Sequence, residues 1–209
     1  MTEDQNETDQ GTVLKISTGQ QENRFSRFEL IRWWDQSRLK NARVLVIGAG
    51  ALGNEIIKNL ALVGIGNILL VDFDQIEPSN LSRSVLFRES DRGRNKADVA
   101  AERARELFPE INIRPLCVNA VTDLGLGVFY WADVILGGLD NREARLAINQ
   151  NAFRSGKSWI DGAIEGLSGV ARVFAPDGPC YECTMSEVDW KILNARRSCT
   201  LLTGDEMMS

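Results

Sequence analysis

The chain has 209 residues, 44% of them hydrophobic, and a formal net charge of −5, so it is long enough to bury one substantial core. Binders of nucleic acid or acidic membranes normally present an electropositive face, and we therefore expect neither partner for this acidic chain. It contains no histidine, which excludes histidine acid–base catalysis and zinc sites that mix Cys with His.

The N-terminal residues 1 to about 22 are rich in Gln, Glu, Asp, Thr and Asn. Such a segment cannot bury enough apolar surface to offset the entropy of ordering, so we expect a mobile tail. Residues 23–209 are expected to form the domain. From Phe25 to Leu39 the apolar residues fall largely at helical spacing, which predicts one amphipathic helix.

Strands and helices alternate along the rest of the chain. The expected elements, in chain order, are strand 43–47, helix 51–63, strand 68–72, loop 75–93, helix 95–107, strands 111–118 and 133–136, helix 142–154 and strand 158–160. This alternation predicts a doubly wound, Rossmann-like α/β fold with a mainly parallel sheet. Residues 170–174 follow without an intervening helix, which predicts an antiparallel C-terminal extension before a Cys-bearing tail.

A glycine-rich turn, Gly48-Ala49-Gly50-Ala51-Leu52-Gly53, joins the first strand to the next helix. Gly48, Gly50 and Gly53 let the backbone approach phosphate oxygens, and the helix points its unpaired N–H groups at them. Asp72 lies about 20 positions later, at the end of the second strand, where a carboxylate accepts both hydroxyls of a ribose. This pattern alone fits a dinucleotide as well as ATP.

Further polar residues favour a nucleoside triphosphate. Positive charge and amide donors are supplied by Asn80, Arg83 and Lys96. Together they provide more than a pyrophosphate already held at a helix end requires. Asp140 follows the strand at 133–136, at the sheet edge where open α/β sheets bind ligands. The alternatives are a loop cap for Asp72, solvated surface charges for Arg83 and Lys96, and an N-cap of helix 142–154 for Asp140.

The ordered set of motifs from Arg24 to Cys199 resembles the ubiquitin-activating and MoeB/ThiF-like adenylating enzymes, which share a THIF-type nucleotide-binding fold. The matching pieces are Arg24-Phe25-Ser26-Arg27, the Gly48 to Gly53 turn, Asp72-Phe73-Asp74, Ser79-Asn80-Leu81-Ser82-Arg83, Lys96, Asp140-Asn141 and Cys180-Tyr181-Glu182-Cys183. The resemblance implies ATP-dependent adenylation of the C-terminal carboxylate of a ubiquitin-like or sulfur-carrier protein that ends in Gly-Gly. It also implies a homodimer or a heterodimer.

The resemblance implies a role for each matching residue. Asp72, with Asp74 beside it, would bind the ribose of ATP. The phosphates would be bound by Asn80, Arg83 and Lys96, and Asp140 would bind ATP through Mg²⁺. Arg27 would reach into the site of a partner subunit. One departure is Ser84, where the family often has Gln, and we expect it to weaken a supporting contact and to leave the reaction class intact.

The proposed chemistry suits a site without histidine. A C-terminal carboxylate is ionised at neutral pH, so its attack on the α-phosphorus of ATP needs no general base. Negative charge accumulates on the phosphoryl oxygens and on pyrophosphate, and fixed cations with Mg²⁺ stabilise it.

The cysteines leave several interpretations open. Cys180 and Cys183 form half of a tetrahedral zinc site, and related enzymes supply a second pair further downstream, so we expect weak zinc binding or a chain that continues past Ser209. Cys199, in Arg196-Arg197-Ser198-Cys199-Thr200, resembles the thioester-forming cysteine of the ubiquitin-activating branch, and neighbouring arginines favour its thiolate. A third zinc ligand and a thiol on a disordered end are the alternatives. Cys117, within an apolar run, is expected to be buried.

Composition and motifs also bear on location and on rival functions. Cysteine usage suits a reducing compartment, and no apolar stretch approaches the ~20 residues that span a bilayer, so we expect a cytoplasmic protein. Three rival functions are a non-catalytic subunit that lends Arg27 and its dimer face to an active partner, a tRNA-adenylating enzyme of the same family, and an NAD-dependent oxidoreductase. The last is disfavoured because neither tyrosine is followed by a lysine four residues later, as a Tyr-Lys proton donor requires.

Overall fold

The structure is a computed structural model that describes residues 22–165 and 167–197. The chain divides into two compact units, one ending at Trp34 and the other beginning at Asp35. Within the described ranges no helix has the length and apolar character needed to cross a bilayer. The expected mobile tail lies outside the described residues except for Glu22, and so does Cys199.

The predicted single helix from Phe25 to Leu39 is wrong. The first unit contains turns and a short 3₁₀ helix, Phe28–Leu30, in which Phe28 and Trp34 stack with ring centroids 4.4 Å apart. The first α-helix, α1, is Gln36–Asn41. Asp35 explains this start, because its backbone is extended and its carboxylate accepts the Arg38 N–H at 3.0 Å, as an N-cap does.

One sheet of six strands forms the centre of the second unit. The strands are β1 Arg43–Ile47, β2 Asn67–Val71, β3 Asn112–Leu116, β4 Val134–Gly137, β5 Trp159–Glu165 and β6 Ser168–Phe174. Their order is β3-β2-β1-β4-β5-β6. The first five run parallel, and β6 pairs antiparallel with β5. The predicted doubly wound α/β fold with an antiparallel extension is therefore confirmed.

Helices connect the parallel strands. They are α2 Ala51–Leu62, α3 Lys96–Leu107, α4 Leu126–Trp131 and α5 Arg142–Arg154, and α6 Glu187–Arg197 follows the sheet. Gly64, with φ +79°, follows the end of α2 and adopts the left-handed conformation that often terminates helices. The sequence did not predict α4, because its six residues are nearly all apolar and show no helical period.

The core lies between the sheet and its helices. Its largest members include Leu45, Ile47, Phe129 and Trp159, all at most 1% exposed. Cys117 is exposed, against our expectation, because β3 ends at Leu116 and is an edge strand of the sheet.

Strand register determines where a site can form. Ile47 pairs with Val71 on one side and with Gly137 on the other. The carboxyl ends of β1, β2 and β4 therefore align at one edge of the sheet, and the glycine turn, Asp72 and Asp140 follow there. This is the position at which open α/β sheets bind ligands.

Candidate active site

A cavity of about 730 Å³ opens at this carboxyl edge. It is lined by every predicted binding residue except Gly53, namely Gly48, Gly50, Asp72, Asp74, Asn80, Arg83, Lys96 and Asp140. The three candidate phosphate-binding side chains thus line the same cavity as the glycine turn.

The glycine turn is tightly packed on one side and open on the other. A Cβ at Gly48, where φ is +97°, would lie 2.5 Å from the Gly138 carbonyl oxygen, and one at Gly53 would lie 2.0 Å from that of Gly48. A Cβ at Gly50 would meet no atom within 4 Å. No side chain caps α2 at Gly50, so the N–H groups of its first turn are available to an anion.

Asp72 is held by the backbone on both sides. Its carboxylate accepts the Ala49 N–H at 2.6 Å and the Asp74 N–H at 2.8 Å. Each carboxylate oxygen has a second lone pair, so both can still accept a hydroxyl. Burial raises the pKa of Asp72, although the two backbone N–H groups and the Lys96 charge oppose that rise.

Lys96 is paired within the cavity. It is the first residue of α3 and only 9% exposed, and its Nζ lies 2.7 Å from an Asp74 carboxylate oxygen. The Lys96 N–H also donates to the Asp74 carbonyl at 2.9 Å. Asp74 therefore orients the lysine, and a buried ammonium held in this way is a fixed positive charge.

Asn80 and Arg83 lie on the loop between β2 and α3. The Asn80 side-chain oxygen accepts the Glu77 N–H at 2.9 Å, which fixes the orientation of its amide. Arg83 is exposed, and its guanidinium donates to the Ser79 carbonyl at 2.7 Å. Ser84, the departure from the family pattern, is a buried residue of this loop, 5% exposed.

Asp140 is not the cap of α5. The Asn141 side chain accepts the Ala144 N–H at 2.8 Å and is the N-cap, so the capping alternative for Asp140 is wrong. Asn141 takes this role because it directly precedes α5 and has extended backbone. Asp140 is exposed and accepts a 3.2 Å hydrogen bond from the Asn141 amide. Its carboxylate forms no ion pair within residues 22–165 and 167–197.

Two arginines of the cavity were missed from the sequence. Arg145 donates to the carboxylate of Asp161, which is 1% exposed, at 3.0 Å and to the Leu139 carbonyl at 2.5 Å, so it joins the segment before Asp140 to β5. Burial raises the pKa of Asp161, and the Arg145 charge opposes that rise. Arg142 pairs with Asp189 of α6. An aspartate, Asp161, directly after the predicted strand 158–160 was the available signal for a buried cationic partner.

Cys180 and Cys183 do not line the cavity. Arg27, in the first unit, is exposed and forms an ion pair with Glu22 at 3.4 Å. The Sγ atoms of Cys180 and Cys183 are 3.7 Å apart. Across the described ranges no group of three or more His, Cys, Asp or Glu residues could hold a metal ion, so the zinc expectation has no support there. Two thiolates alone do not complete a structural zinc site.

The Cys180 thiol has a perturbed environment. Burial acts to raise its pKa, but hydrogen bonds from the backbone and thiol of Cys183 and from the Asn149 side chain outweigh burial and lower the pKa overall. At Cys117, partial desolvation of the thiol raises the pKa, and the nearby Asp98 adds to that rise.

Comparison with known proteins identifies the family. The model of the ThiF family matches residues 22–203. The SAMP-activating enzyme E1 of Haloferax volcanii is 38% identical over 152 residues, which cover 73% of this chain and 56% of that enzyme. The probable adenylyltransferase/sulfurtransferase MoeZ of Mycobacterium tuberculosis is 41% identical over 144 residues, which cover 69% of this chain and 37% of MoeZ.

Solved structures give the same result. The crystal structure of E. coli MccB with AMPCPP and MccA matches with a TM-score of 0.68 and 29% identity, over 87% of this chain and 57% of that one. The chain thus spans between about one third and three fifths of the length of these proteins. With a family match over most of its residues, the chain belongs to the ThiF family.

Proposed function

We propose that this chain uses ATP to adenylate the C-terminal carboxylate of a ubiquitin-like or sulfur-carrier protein. The observation that carries the proposal is that Asn80, Arg83 and Lys96 line one cavity with the glycine turn. That is more phosphate-binding capacity than a dinucleotide needs. Support also comes from relatives named as an E1 and an adenylyltransferase and from the MccB structure, which contains the nucleotide analogue AMPCPP.

The reaction is one phosphorus substitution. A carboxylate oxygen of the carrier protein bonds to the α-phosphorus of ATP, the bond from that phosphorus to the bridging oxygen breaks, and pyrophosphate leaves with the electron pair. No proton moves, because the carboxylate is ionised before it attacks. The lack of histidine therefore costs this reaction nothing.

The charged groups of the cavity would contact different parts of ATP. Asp72 accepts the ribose hydroxyls, and the N-terminus of α2 at Gly50 faces the phosphates. Arg83 and Lys96 stabilise the charge that develops on pyrophosphate. Lys96 needs no reorganisation for this role, because Asp74 already orients it.

Asp140 fits a role in binding magnesium. Among the acidic side chains of the cavity, that of Asp140 is exposed and forms no ion pair in the described part of the chain. Mg²⁺ prefers carboxylate oxygen together with substrate phosphates. When bound, Mg²⁺ would neutralise charge on the phosphate oxygens.

Further parts of the proposal rest on the sequence. A dimer in which Arg27 reaches the partner's site, a thioester formed by attack of Cys199 on the acyl-adenylate with loss of AMP, and a cytoplasmic location all stay predictions. Zinc binding at Cys180 and Cys183 would need ligands beyond those described.

Exchange of labelled pyrophosphate into ATP tests the proposal. The purified chain is mixed with ATP, Mg²⁺ and a small ubiquitin-like protein that ends in Gly-Gly. We expect exchange that depends on the carrier and is lost when its terminal Gly-Gly is removed. Asp140→Ala should abolish exchange and leave the circular dichroism spectrum unchanged. ATP binding without any exchange would favour the non-catalytic subunit, and tighter binding of NAD than of ATP would reject the proposal.

A further inference from the structure

A buried amide joins the two phosphate-facing segments of the cavity. Asn54, in the first turns of α2, is 0% exposed and does not line the cavity. Its Nδ2 donates to the Ala49 carbonyl at 2.7 Å and to the Gly50 carbonyl at 3.0 Å. Its Oδ1 accepts the Leu86 N–H at 2.9 Å. One side chain thus binds backbone atoms of two segments that are distant in sequence.

Each of these segments carries predicted phosphate contacts. Ala49 and Gly50 belong to the glycine turn, and Leu86 lies three residues after Arg83. The loop that contains Leu86 is closed at its base, where the Gly93 N–H donates to the Ile76 carbonyl at 2.9 Å. Asn54 holds the same loop near its middle. Both ends of the segment that carries Arg83 are therefore fixed, one by the loop base and one by this amide.

The type of contact matters for the role of Asn54. All three hydrogen bonds go to main-chain atoms, so they fix the separation of two backbones rather than the position of one side chain. An apolar residue of similar size would leave the buried Leu86 N–H without this acceptor, and such groups are costly to leave unpaired. Displacement of a positioning segment by about 1 Å is enough to impair charge stabilisation.

We infer that Asn54 is a positioning residue for ATP. It sets the distance between the glycine turn and the loop of Asn80 and Arg83, so that both contact one polyphosphate. The inference rests on the proposed function, because it requires that ATP occupies the cavity. It goes beyond that function by assigning the alignment of the phosphate site to a residue that touches no ligand.

The chain offers a matched control in Asn149. This asparagine is 3% exposed and likewise uses its Oδ1 on a distant segment, accepting the Tyr181 N–H at 2.9 Å and the Trp159 Nε1–H at 3.4 Å. It does not line the cavity. Substitution of Asn149 therefore measures the general cost of losing a buried asparagine in this fold.

The test compares Asn54→Leu and Asn54→Ser with Asn149→Leu and Asn149→Ser. Calorimetry gives the Kd of MgATP and of AMP, and hydrogen exchange with mass spectrometry follows the amides of residues 80–90. We expect both Asn54 variants to raise the Kd of MgATP about tenfold, the equivalent of one or two lost hydrogen bonds. AMP, which has no β- or γ-phosphate, should change by less than about threefold. Exchange at residues 80–90 should accelerate.

The Asn149 variants should lose stability without either effect. Equal loss of ATP affinity in the Asn54 and Asn149 variants would overturn the inference, and so would wild-type affinity in the Asn54 variants. The serine variants keep a hydroxyl and serve if the leucine variants fail to fold. Wild-type protein that binds no ATP would instead reject the proposed function, and this is measured before any variant.

Discussion

Replacement of Lys96 by alanine should affect the reaction far more than the fold. The Lys96 side chain is 11% exposed, while that of its partner Asp74 is 49% exposed. When the lysine is removed, water can solvate the half-exposed carboxylate, so we expect a loss of only about 1 kcal/mol in the free energy of unfolding. Loss of a preorganised charge beside the phosphates should slow pyrophosphate exchange by roughly 10²–10³-fold, or about 3–4 kcal/mol.

The assay measures exchange and urea unfolding on the same protein. Lys40→Ala is the control, since Lys40 pairs with Glu110 at 3.0 Å with both side chains 64% exposed, and it does not line the cavity. We expect it to change neither quantity appreciably. If Lys96→Ala loses stability and exchange by the same free energy, the lysine is a structural cation and its assignment to phosphate is wrong.

Three further predictions concern other parts of the chain. If Arg27 acts on a partner's site, an inactive Arg27→Ala protein should regain exchange when mixed with an inactive Lys96→Ala protein; mixed dimers without activity would contradict this. Because burial raises the pKa of Asp72, adenosine affinity should fall as the pH drops toward that raised pKa, above the usual aspartate value near 4, and Asp72→Asn should lack this dependence. Because the pKa of Asp72 is raised in the folded protein, protonation of Asp72 adds to the free energy of unfolding below about pH 4. This contribution is lost as the pH rises through the raised pKa. Iodoacetamide at pH 7 should modify Cys180 faster than the more exposed Cys117 in metal-free protein, because the pKa is lowered at Cys180 and raised at Cys117. Mass spectrometry of the labelled peptides gives both rates. Faster labelling of Cys117 would refute the argument.

The parts of the site that local pattern determines were predictable. The glycine turn and Asp72 follow apolar strands directly, and parallel register brings such strand ends together. Asn54 was not predictable, because its acceptor oxygen serves an N–H group 32 residues away. The same holds for Arg145, whose carboxylate partner lies 16 residues along the chain on another strand. Only the tertiary fold brings these pairs into contact.

The errors have a similar cause. Helical spacing from Phe25 to Leu39 could not show that Asp35 caps a later helix, because capping competes with helix continuation through a single side-chain hydrogen bond. Asp140 and Asn141 are both good N-caps by composition. The structure separates them, and a one-residue difference decides which side chain is bonded to α5 and which remains available to a ligand.

The Asp140 carboxylate favours a ligand that brings its own cation. It lines the cavity without an ion pair in the described residues, so its charge should repel a phosphate that carries no metal. We therefore expect MgATP to bind about tenfold more tightly than ATP in EDTA. Asp140→Asn should reduce the ratio of these two Kd values, because the variant should bind metal-free ATP more tightly and MgATP less tightly.

Asp133→Asn is the control for this comparison. Asp133 is also an exposed aspartate, but it pairs with Arg43 at the start of β1, at the sheet edge opposite the cavity. Its substitution should leave the ratio of the two Kd values unchanged. If Asp140→Asn keeps the wild-type ratio of the two Kd values, a group other than Asp140 is responsible for the dependence on metal. A dinucleotide, which needs no divalent cation, would be bound less tightly than MgATP by the same repulsion.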